Sequence, residues 1–294
     1  MMGLGTIVTA MITPFDERGE LNVSEAQRVA RWLVERGNDG LVVAGSTGEG
    51  MTLDAQERAE LIRAVKEAVA GRAAVIANVG TSDTRSTIVA AKQAQSAGAD
   101  AILVVVPPYS KPPQSGMLGH FGAIADSMPL PLVVYNIPGR TAVNVTPATI
   151  ARVAKDCPNV LAVKDAAGNL DQTSETLALC GPKFTVMSGD DSLTIPMMSV
   201  GASGVVSVIA NVAPKETRAL VELFAKGEHK KAAALHLKMF PLVKALFVET
   251  NPIPVKAALG LMGLCRPEPR LPLTPLSDSA RPVLKKALKD FGLI

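Results

Sequence analysis

Eight short runs of apolar, often β-branched residues recur along the chain, and segments with helical periodicity separate them. Runs of this length predict buried strands, and the spacing between them leaves room for one helix each. Strands connected by helices pair in parallel, with right-handed crossovers. We therefore predict parallel strands at Thr6–Ile12, Gly40–Val43, Ala74–Asn78, Ala101–Val106, Leu132–Tyr135, Val160–Val163, Phe184–Met187 and Gly204–Val208.

The segments between the runs predict helices with defined ends. Ser24–Arg36 has Ser24 as its expected N-cap and Gly37 as its stop, and Asp54–Ala70 follows the second run. Thr84–Ala97 and Thr146–Lys155 each open with a threonine that is expected to cap the helix. After the eighth run, four more helices are expected at Pro214–Lys226, His229–Phe247, Pro252–Met262 and Asp278–Asp290.

Eight βα units within about 210 residues favour an α/β fold of the (β/α)8 TIM-barrel type over an open doubly wound sheet. The first strand-to-helix turn carries no GxGxxG, which also weighs against a dinucleotide-binding fold. We predict a barrel core over residues 1–213, which carries the active site, and a C-terminal helical extension over residues 214–294.

Composition excludes several functional classes. The chain has 30 basic and 27 acidic residues, a net charge of +3, which does not favour nucleic-acid binding. No apolar run approaches the roughly 18 residues of a membrane span, and MMGLGTIVTAMITPF lacks the basic start of a signal peptide, so we interpret it as a strand. Three cysteines and three histidines have spacings that match no metal or redox motif. We expect free thiols, no metal site and a cytoplasmic protein.

In a (β/α)8 barrel the chemistry lies where strands end and βα loops begin. Lys164 follows the apolar run Val160–Val163, and it is the only lysine that ends such a run. Burial destabilises the ammonium form, and a neutral lysine amine attacks ketones to form a Schiff base. The alternative is a lysine held in an ion pair with Asp165 or another carboxylate.

Other strand ends carry polar groups that suit the same chemistry. Tyr135 ends the strand before that of Lys164, so the two side chains can meet, and Thr47 offers a hydroxyl that relays protons. Ser46 and Thr47 lie in the glycine-rich AGSTGEG, whose free amides can hold a carboxylate, although a plain glycine loop is the alternative. Tyr109 follows a stiff Pro-Pro pair, which fixes its direction at the end of the fourth strand. The alternative for Tyr109 is a partly packed surface tyrosine. Arg140 suits carboxylate capture, or else a structural salt bridge.

The acids Asp190 and Asp191 follow the seventh strand, where we interpret them as a helix N-cap without an acid–base role. Six motifs then occur in a fixed order along nearly the whole chain: GSTGE at 45–49, YNIPGRT at 135–141, VKDAAGNL at 163–170, SGDD at 188–191, GVVSV at 204–208 and NPIPVK at 251–256. In these motifs the chain resembles the pyruvate-dependent class I aldolases, the family of dihydrodipicolinate synthase and N-acetylneuraminate lyase.

The resemblance implies roles for individual residues. Lys164 would form a Schiff base with pyruvate, and Tyr135, Thr47 and Tyr109 would relay protons, with Tyr109 reaching in from a neighbouring subunit. The hydroxyls and amides of Ser46, a threonine in most of the family, and Thr47 would hold the pyruvate carboxylate. The remaining substrate-binding positions that it implies are Arg140, for the carboxylate of L-aspartate 4-semialdehyde, and Gly189 and Val206, which would shape the pyruvate pocket.

The implied reaction is condensation of pyruvate with L-aspartate 4-semialdehyde, on the route to lysine and diaminopimelate. It needs no organic cofactor or metal, and the family implies a homotetramer built as a dimer of dimers. Two alternatives remain: a sister aldolase that acts on sugar acids, and a barrel that binds a keto acid without turnover. The positions aligned with the family's lysine-inhibition site hold Arg58, Ser82, Ser86 and Pro108, which predict weak or absent inhibition by lysine.

Overall fold

Eight parallel strands close into a barrel in the computed structural model, which describes residues 5–294. Each strand pairs with the next, and the last pairs with the first, so the sheet has no open edge. The predicted (β/α)8 barrel is confirmed. Residues 1–4 of the segment MMGLGTIVTAMITPF, which was interpreted as a strand, lie outside the described range. The strands are β1 Ile7–Ala10, β2 Gly40–Val43, β3 Ala74–Asn78, β4 Ala101–Val105, β5 Leu132–Asn136, β6 Val160–Asp165, β7 Thr185–Ser188 and β8 Gly204–Ser207.

Helices follow the strands and also form the C-terminal part of the described chain. None of those within residues 5–294 has the length and apolar character needed to cross a bilayer. The helices are α1 Val23–Glu35, α2 Ala55–Val69, α3 Thr84–Ser96, α4 Gln114–Asp126, α5 Pro138–Thr141, α6 Pro147–Asp156, α7 Leu170–Cys180, α8 Thr194–Ser199, α9 Pro214–Ala225, α10 His229–Ala245, α11 Ile253–Leu261 and α12 Arg281–Phe291.

Two of the predicted helix caps are wrong. Asn22, not Ser24, caps α1, because its backbone amide is held by the carbonyl of Pro14 and its side chain accepts from the amide of Glu25. Asp83 caps α3 in place of Thr84, whose hydroxyl contacts a histidine instead. Since these side chains cap about equally well, tertiary contacts decide which of two neighbours takes the position.

The apolar core has two layers. The inner layer fills the barrel with side chains from all eight strands, Val8, Val42, Ile76 and Leu103 among them. The outer layer packs the barrel against the surrounding helices and continues without a break into α10, α11 and α12. Val221 of α9 packs against Ile7 of β1 and Val205 of β8. The predicted domain boundary after residue 213 stays a prediction.

A buried histidine links acid stability to the packing of α4. His120 is 5% exposed, and its Nδ1 lies 3.0 Å from the hydroxyl of Thr84. Burial lowers the pKa of His120 to about 4, against the opposing influence of Asp83. The unfolded chain therefore binds this proton near the ordinary histidine pKa, whereas the folded chain resists it until about pH 4.

Stability is therefore expected to fall as the pH falls from about 6.5 to about 4. In His120→Asn, which keeps a hydrogen-bonding group near Thr84, the loss across this window should be about 2 kcal/mol smaller. Urea unfolding at several pH values measures the difference. Equal pH slopes for the two proteins would contradict the assignment.

Candidate active site

Lys164 lies at the carboxyl end of the barrel, as the penultimate residue of β6. Its neighbour across the sheet is Tyr135 of β5, with which it is in register. Both side chains are 5% exposed, and the Lys164 amine lies 4.1 Å from the centre of the Tyr135 ring. The predicted meeting of these two side chains is present in the structure.

The alternative reading of Lys164 as a salt-bridged lysine does not fit the geometry. Within residues 5–294 no carboxylate oxygen lies within 4.0 Å of its amine. The Asp165 carboxylate instead accepts hydrogen bonds from the amide of Ala167 and the hydroxyl of Thr173. Burial raises the pKa of Asp165, and those two donors oppose the rise. The amine of Lys164 is therefore available for chemistry.

The loop after β2 places hydroxyls and amides at the same end of the barrel. Thr47 is buried and Ser46 is half-buried, and the amides of Ser46, Thr47 and Gly48 make no hydrogen bond within residues 5–294. The backbone amide of Gly50 closes the loop by donating a hydrogen bond to the carbonyl of Gly45, and a Cβ atom at Gly50 would lie only 1.8 Å from the Ala44 carbonyl oxygen. Free amides beside two hydroxyls fit a carboxylate.

Gly189 and Val206 are the two residues predicted to shape the pocket around Lys164. A Cβ atom at Gly189 would lie 3.2 Å from Cε of Lys164 and 2.8 Å from Cβ of Ala166, so glycine leaves the amine accessible. Val206 of β8 is buried in the inner core layer together with Tyr135. Glycine at position 189 therefore keeps space open beside the Lys164 side chain, and the pocket-shaping role of Gly189 and Val206 stays a prediction.

Arg140 connects to Thr47 through a residue of the C-terminal part. Its guanidinium donates to the backbone carbonyl of Asn251 at 2.9 Å, and the Asn251 side chain donates to the Thr47 hydroxyl at 2.9 Å. Arg140 is exposed and borders a cavity of about 570 Å³ lined by residues 247–251. Only one guanidinium nitrogen of Arg140 donates to this carbonyl. The other nitrogens border the cavity, where a carboxylate can bind.

Tyr109 is not brought to Lys164 within one chain. It is 92% exposed in the loop after β4, and its backbone has a φ of +70°, which is costly for an aromatic residue. Met51, 75% exposed, lies in the loop after β2 on the same face of the barrel. Tyr109 and Met51 are thus two large exposed side chains at the carboxyl end of the barrel.

The two acids after β7, Asp190 and Asp191, make different structural contacts. Asp190 caps a short turn by accepting from the amide of Ser192, in line with the predicted N-cap. Asp191 is not the N-cap of that turn, so this half of the prediction is wrong: its buried carboxylate accepts from the Ser207 hydroxyl and the amides of Val208 and Ile209. Burial raises the pKa of Asp191, and these donors oppose the rise. It joins the ends of β7 and β8.

Sequence reasoning did not single out Asn251, Glu49 or Lys256, although all three lie in the quoted motifs. Lys256 and Glu49 form an ion pair in which both side chains are fully buried. The available signal was the charged residue in each of two otherwise small or apolar motifs, GSTGE and NPIPVK. Within residues 5–294 no cluster of three or more histidine, cysteine or acidic side chains is placed to hold a metal ion.

A buried lysine at the end of β6, with a tyrosine ring against its amine, defines a (β/α)8 barrel of the Schiff-base, class I aldolase type. The model of the dihydrodipicolinate synthetase family matches residues 3–291. The chain therefore belongs to the dihydrodipicolinate synthetase family, and the resemblance described from the motifs is confirmed.

Individual relatives match along nearly their whole length. A 4-hydroxy-tetrahydrodipicolinate synthase of Synechococcus sp. (strain JA-2-3B'a(2-13)) is 48% identical, over all of this chain and 95% of that protein. The dihydrodipicolinate synthase of Cyanidioschyzon merolae, solved with lysine bound, superposes with a TM-score of 0.97 at 44% identity, over 99% of both chains. The chloride-inhibited enzyme of Acinetobacter baumannii, solved with pyruvate, gives 0.96 at 38%, over 99% of this chain and all of that one.

Proposed function

We propose that this chain is a 4-hydroxy-tetrahydrodipicolinate synthase, which condenses pyruvate with L-aspartate 4-semialdehyde through a Schiff base on Lys164. The observation that carries the proposal is the buried Lys164 amine, free of carboxylates among the described residues and packed on the Tyr135 ring. Relatives at 45–50% identity that carry this name support the choice of reaction.

The reaction proceeds in bond-balanced steps. The nitrogen of Lys164 adds to C2 of pyruvate to give a carbinolamine, which loses water to form an imine. Loss of a C3 proton gives an enamine, whose C3 attacks the aldehyde carbon of the second substrate. The amino group of that substrate then adds to C2 and displaces Lys164, which closes the ring. One water is released per turnover, and the lysine returns unchanged.

Each of these steps moves a proton, and the relay is assigned to Tyr135 and Thr47, completed by Tyr109 of a second subunit. The Thr47 hydroxyl accepts a hydrogen bond from the Asn251 amide, so its own proton is free to be donated onward. Tyr135 is paired with Lys164 on the neighbouring strand, which suits proton exchange with the carbinolamine.

The two carboxylates of the substrates are assigned to different groups. Ser46 and Thr47 would hold that of pyruvate with their hydroxyls and the unoccupied loop amides, while Gly189 and Val206 bound the pocket. Arg140 would hold the carboxylate of the semialdehyde, because its guanidinium faces the cavity beside Asn251.

Trapping and turnover together test the proposal. Borohydride added with pyruvate should fix the mass of pyruvate on Lys164, as read by peptide mass spectrometry, and the protein should consume pyruvate only when aspartate semialdehyde is present. Absence of the adduct would refute imine chemistry. An adduct with sugar-acid cleavage would favour a sister aldolase, and an adduct without any turnover would favour a keto-acid sensor.

A homotetramer, arranged as a dimer of dimers, is part of the proposal, as is action in the cytoplasm. The exposed Tyr109 and Met51 on one face support subunit association. The three cysteines, Cys157, Cys180 and Cys265, are free thiols, which supports a reducing compartment. Sedimentation velocity would measure the subunit number directly.

Donation of Tyr109 across an interface predicts complementation between two inactive proteins. Tyr109→Phe subunits lack the donated hydroxyl, and Lys164→Ala subunits lack the nucleophile. Mixed subunits contain one complete site, so an equal mixture should recover roughly a quarter of wild-type activity if a two-fold interface exchanges freely. Activity of the mixture no higher than that of the separate variants, after subunit exchange is shown by mass, would contradict donation in trans.

Weak or absent inhibition by lysine is the prediction for Arg58, Ser82, Ser86 and Pro108. Arg58 is half-buried and donates to the Gly50 carbonyl at 2.5 Å, so a cation already occupies this region. The Arg58 guanidinium would repel the ammonium group of a bound lysine. Millimolar lysine is therefore expected to change turnover less than about twofold. Sodium chloride at equal ionic strength is the control, and strong suppression by lysine alone would contradict the prediction.

A further inference from the structure

One buried ion pair joins the C-terminal part to the loop that carries Thr47. The Lys256 amine lies 2.7 Å from a carboxylate oxygen of Glu49, and neither side chain has any exposed surface. Lys256 also donates to the Thr13 carbonyl at 3.0 Å, and the other carboxylate oxygen of Glu49 accepts from the Arg270 amide at 2.8 Å. Burying two charges is costly, and an apolar pair of similar size often gives equal stability. The pair is therefore expected to serve a purpose other than stability.

The loop itself shows what the pair holds. Glu49 has a φ of +50°, a left-handed conformation that a non-glycine residue keeps only when its surroundings determine it. The Thr13 hydroxyl donates to the Gly48 carbonyl at 2.6 Å. Lys256 thus holds the loop directly at Glu49 and, through Thr13, at the carbonyl of Gly48.

The same C-terminal segment reaches the relay hydroxyl. Asn251 and Lys256 both belong to NPIPVK, and Asn251 donates to the hydroxyl of Thr47, two residues before Glu49. One short segment, which runs from just before α11 into its first turn, therefore contacts the loop at Thr47 and at Glu49. If the Glu49 contact is lost, the loop is free to shift relative to Asn251, and the direction of the Thr47 hydroxyl changes with it.

We propose that Lys256 is a positioning residue, which acts through Glu49 to keep the Thr47 hydroxyl in line with the reacting atoms. The proposal rests on the proposed function, in which Thr47 relays protons to and from the intermediates on Lys164. Lys256 does not itself touch substrate, because the Glu49 carboxylate and the Thr13 carbonyl take its hydrogen bonds and its amine lies 4.3 Å from the centre of the Phe15 ring.

Lys256→Met tests this inference with a measurement that a purely structural role would not move. Borohydride trapping at saturating pyruvate counts the competent sites, and kcat is divided by that count. We expect kcat per trapped site to fall roughly 10- to 100-fold, as for a misplacement of about 1 Å. A structural role would instead lower the number of sites and leave kcat per site unchanged.

A mutant cycle shows whether the effect runs through Thr47. In a Thr47→Val background Lys256→Met should cost less than about twofold, because the hydroxyl it positions is already gone. Should Lys256→Met fail to fold, Glu49→Gln combined with Lys256→Met removes both charges and should keep the loss in kcat per site. An unchanged cost in the Thr47→Val background, or wild-type kcat in the charge-free variant, would overturn the proposal.

Lys66→Met is the matched control, because it breaks a half-buried ion pair with Asp100 at the opposite end of the barrel. It should lower the melting temperature without changing kcat per site.

If the wild-type protein forms the pyruvate adduct but does not condense it with the semialdehyde, the proposed function fails. The cycle is then measured on the rate of adduct formation, which the Thr47 hydroxyl also serves.

Discussion

Lys164→Ala is expected to lose the borohydride-trapped pyruvate adduct completely and to lower kcat by at least about 10³-fold. The amine is the only group that can carry the substrate covalently in the proposed reaction, and its removal leaves binding without an alternative nucleophile. Mass spectrometry of the trapped protein and steady-state kinetics measure the two effects.

Two variants separate covalent chemistry from loss of charge or of folding. Lys164→Arg keeps a positive charge at the site but cannot form an imine, so it should be as inactive as Lys164→Ala. Lys155→Ala removes an exposed lysine near the end of α6 and should retain full activity. Substantial turnover by Lys164→Arg would show that the lysine acts only as a cation.

Tyr135→Phe is expected to lower kcat roughly 10²- to 10³-fold while leaving the fold intact. The change keeps the ring that packs against the Lys164 amine and inside the barrel, and removes only the hydroxyl. The pyruvate adduct should still form, more slowly, because the nucleophile is unchanged. Stopped-flow trapping separates this rate from overall turnover.

The melting temperature is the control for Tyr135→Phe, since the hydroxyl makes no hydrogen bond to the described residues whose loss would destabilise the barrel. A kcat within about threefold of wild type would remove Tyr135 from the relay, because general acid–base groups contribute more than this. A large drop in melting temperature would instead assign the hydroxyl a structural role.

Much of the fold followed from local sequence pattern. Every predicted strand overlaps an observed one, because short β-branched runs flanked by helices have few alternatives in a compact α/β chain. The run Val160–Val163 extends in the structure to Asp165, so Lys164 lies within β6 rather than after it. Helix caps followed less well from local pattern: Asn22 rather than Ser24 caps α1, and the Asn22 amide is held by the carbonyl of Pro14, a contact outside the helix.

The candidate site was predictable where strands end, because parallel strands bring all their carboxyl ends to one face. Lys164, Tyr135 and the Ser46–Thr47 loop share that face for this reason. Asn251 and Lys256 were missed because they lie about two hundred residues from the loop that they contact. Contacts over such separations leave no periodic signal in a single sequence.

By itself, the amino-acid sequence determined the barrel, the position of the candidate lysine and the neighbouring tyrosine, because strand periodicity and parallel pairing set which residues share an end. Only the tertiary structure decided that no described carboxylate pairs with Lys164 and that Glu49 and Lys256 form a buried pair. Those facts depend on side-chain distances between segments far apart in the chain. Such distances are set by packing of the whole core rather than by local pattern.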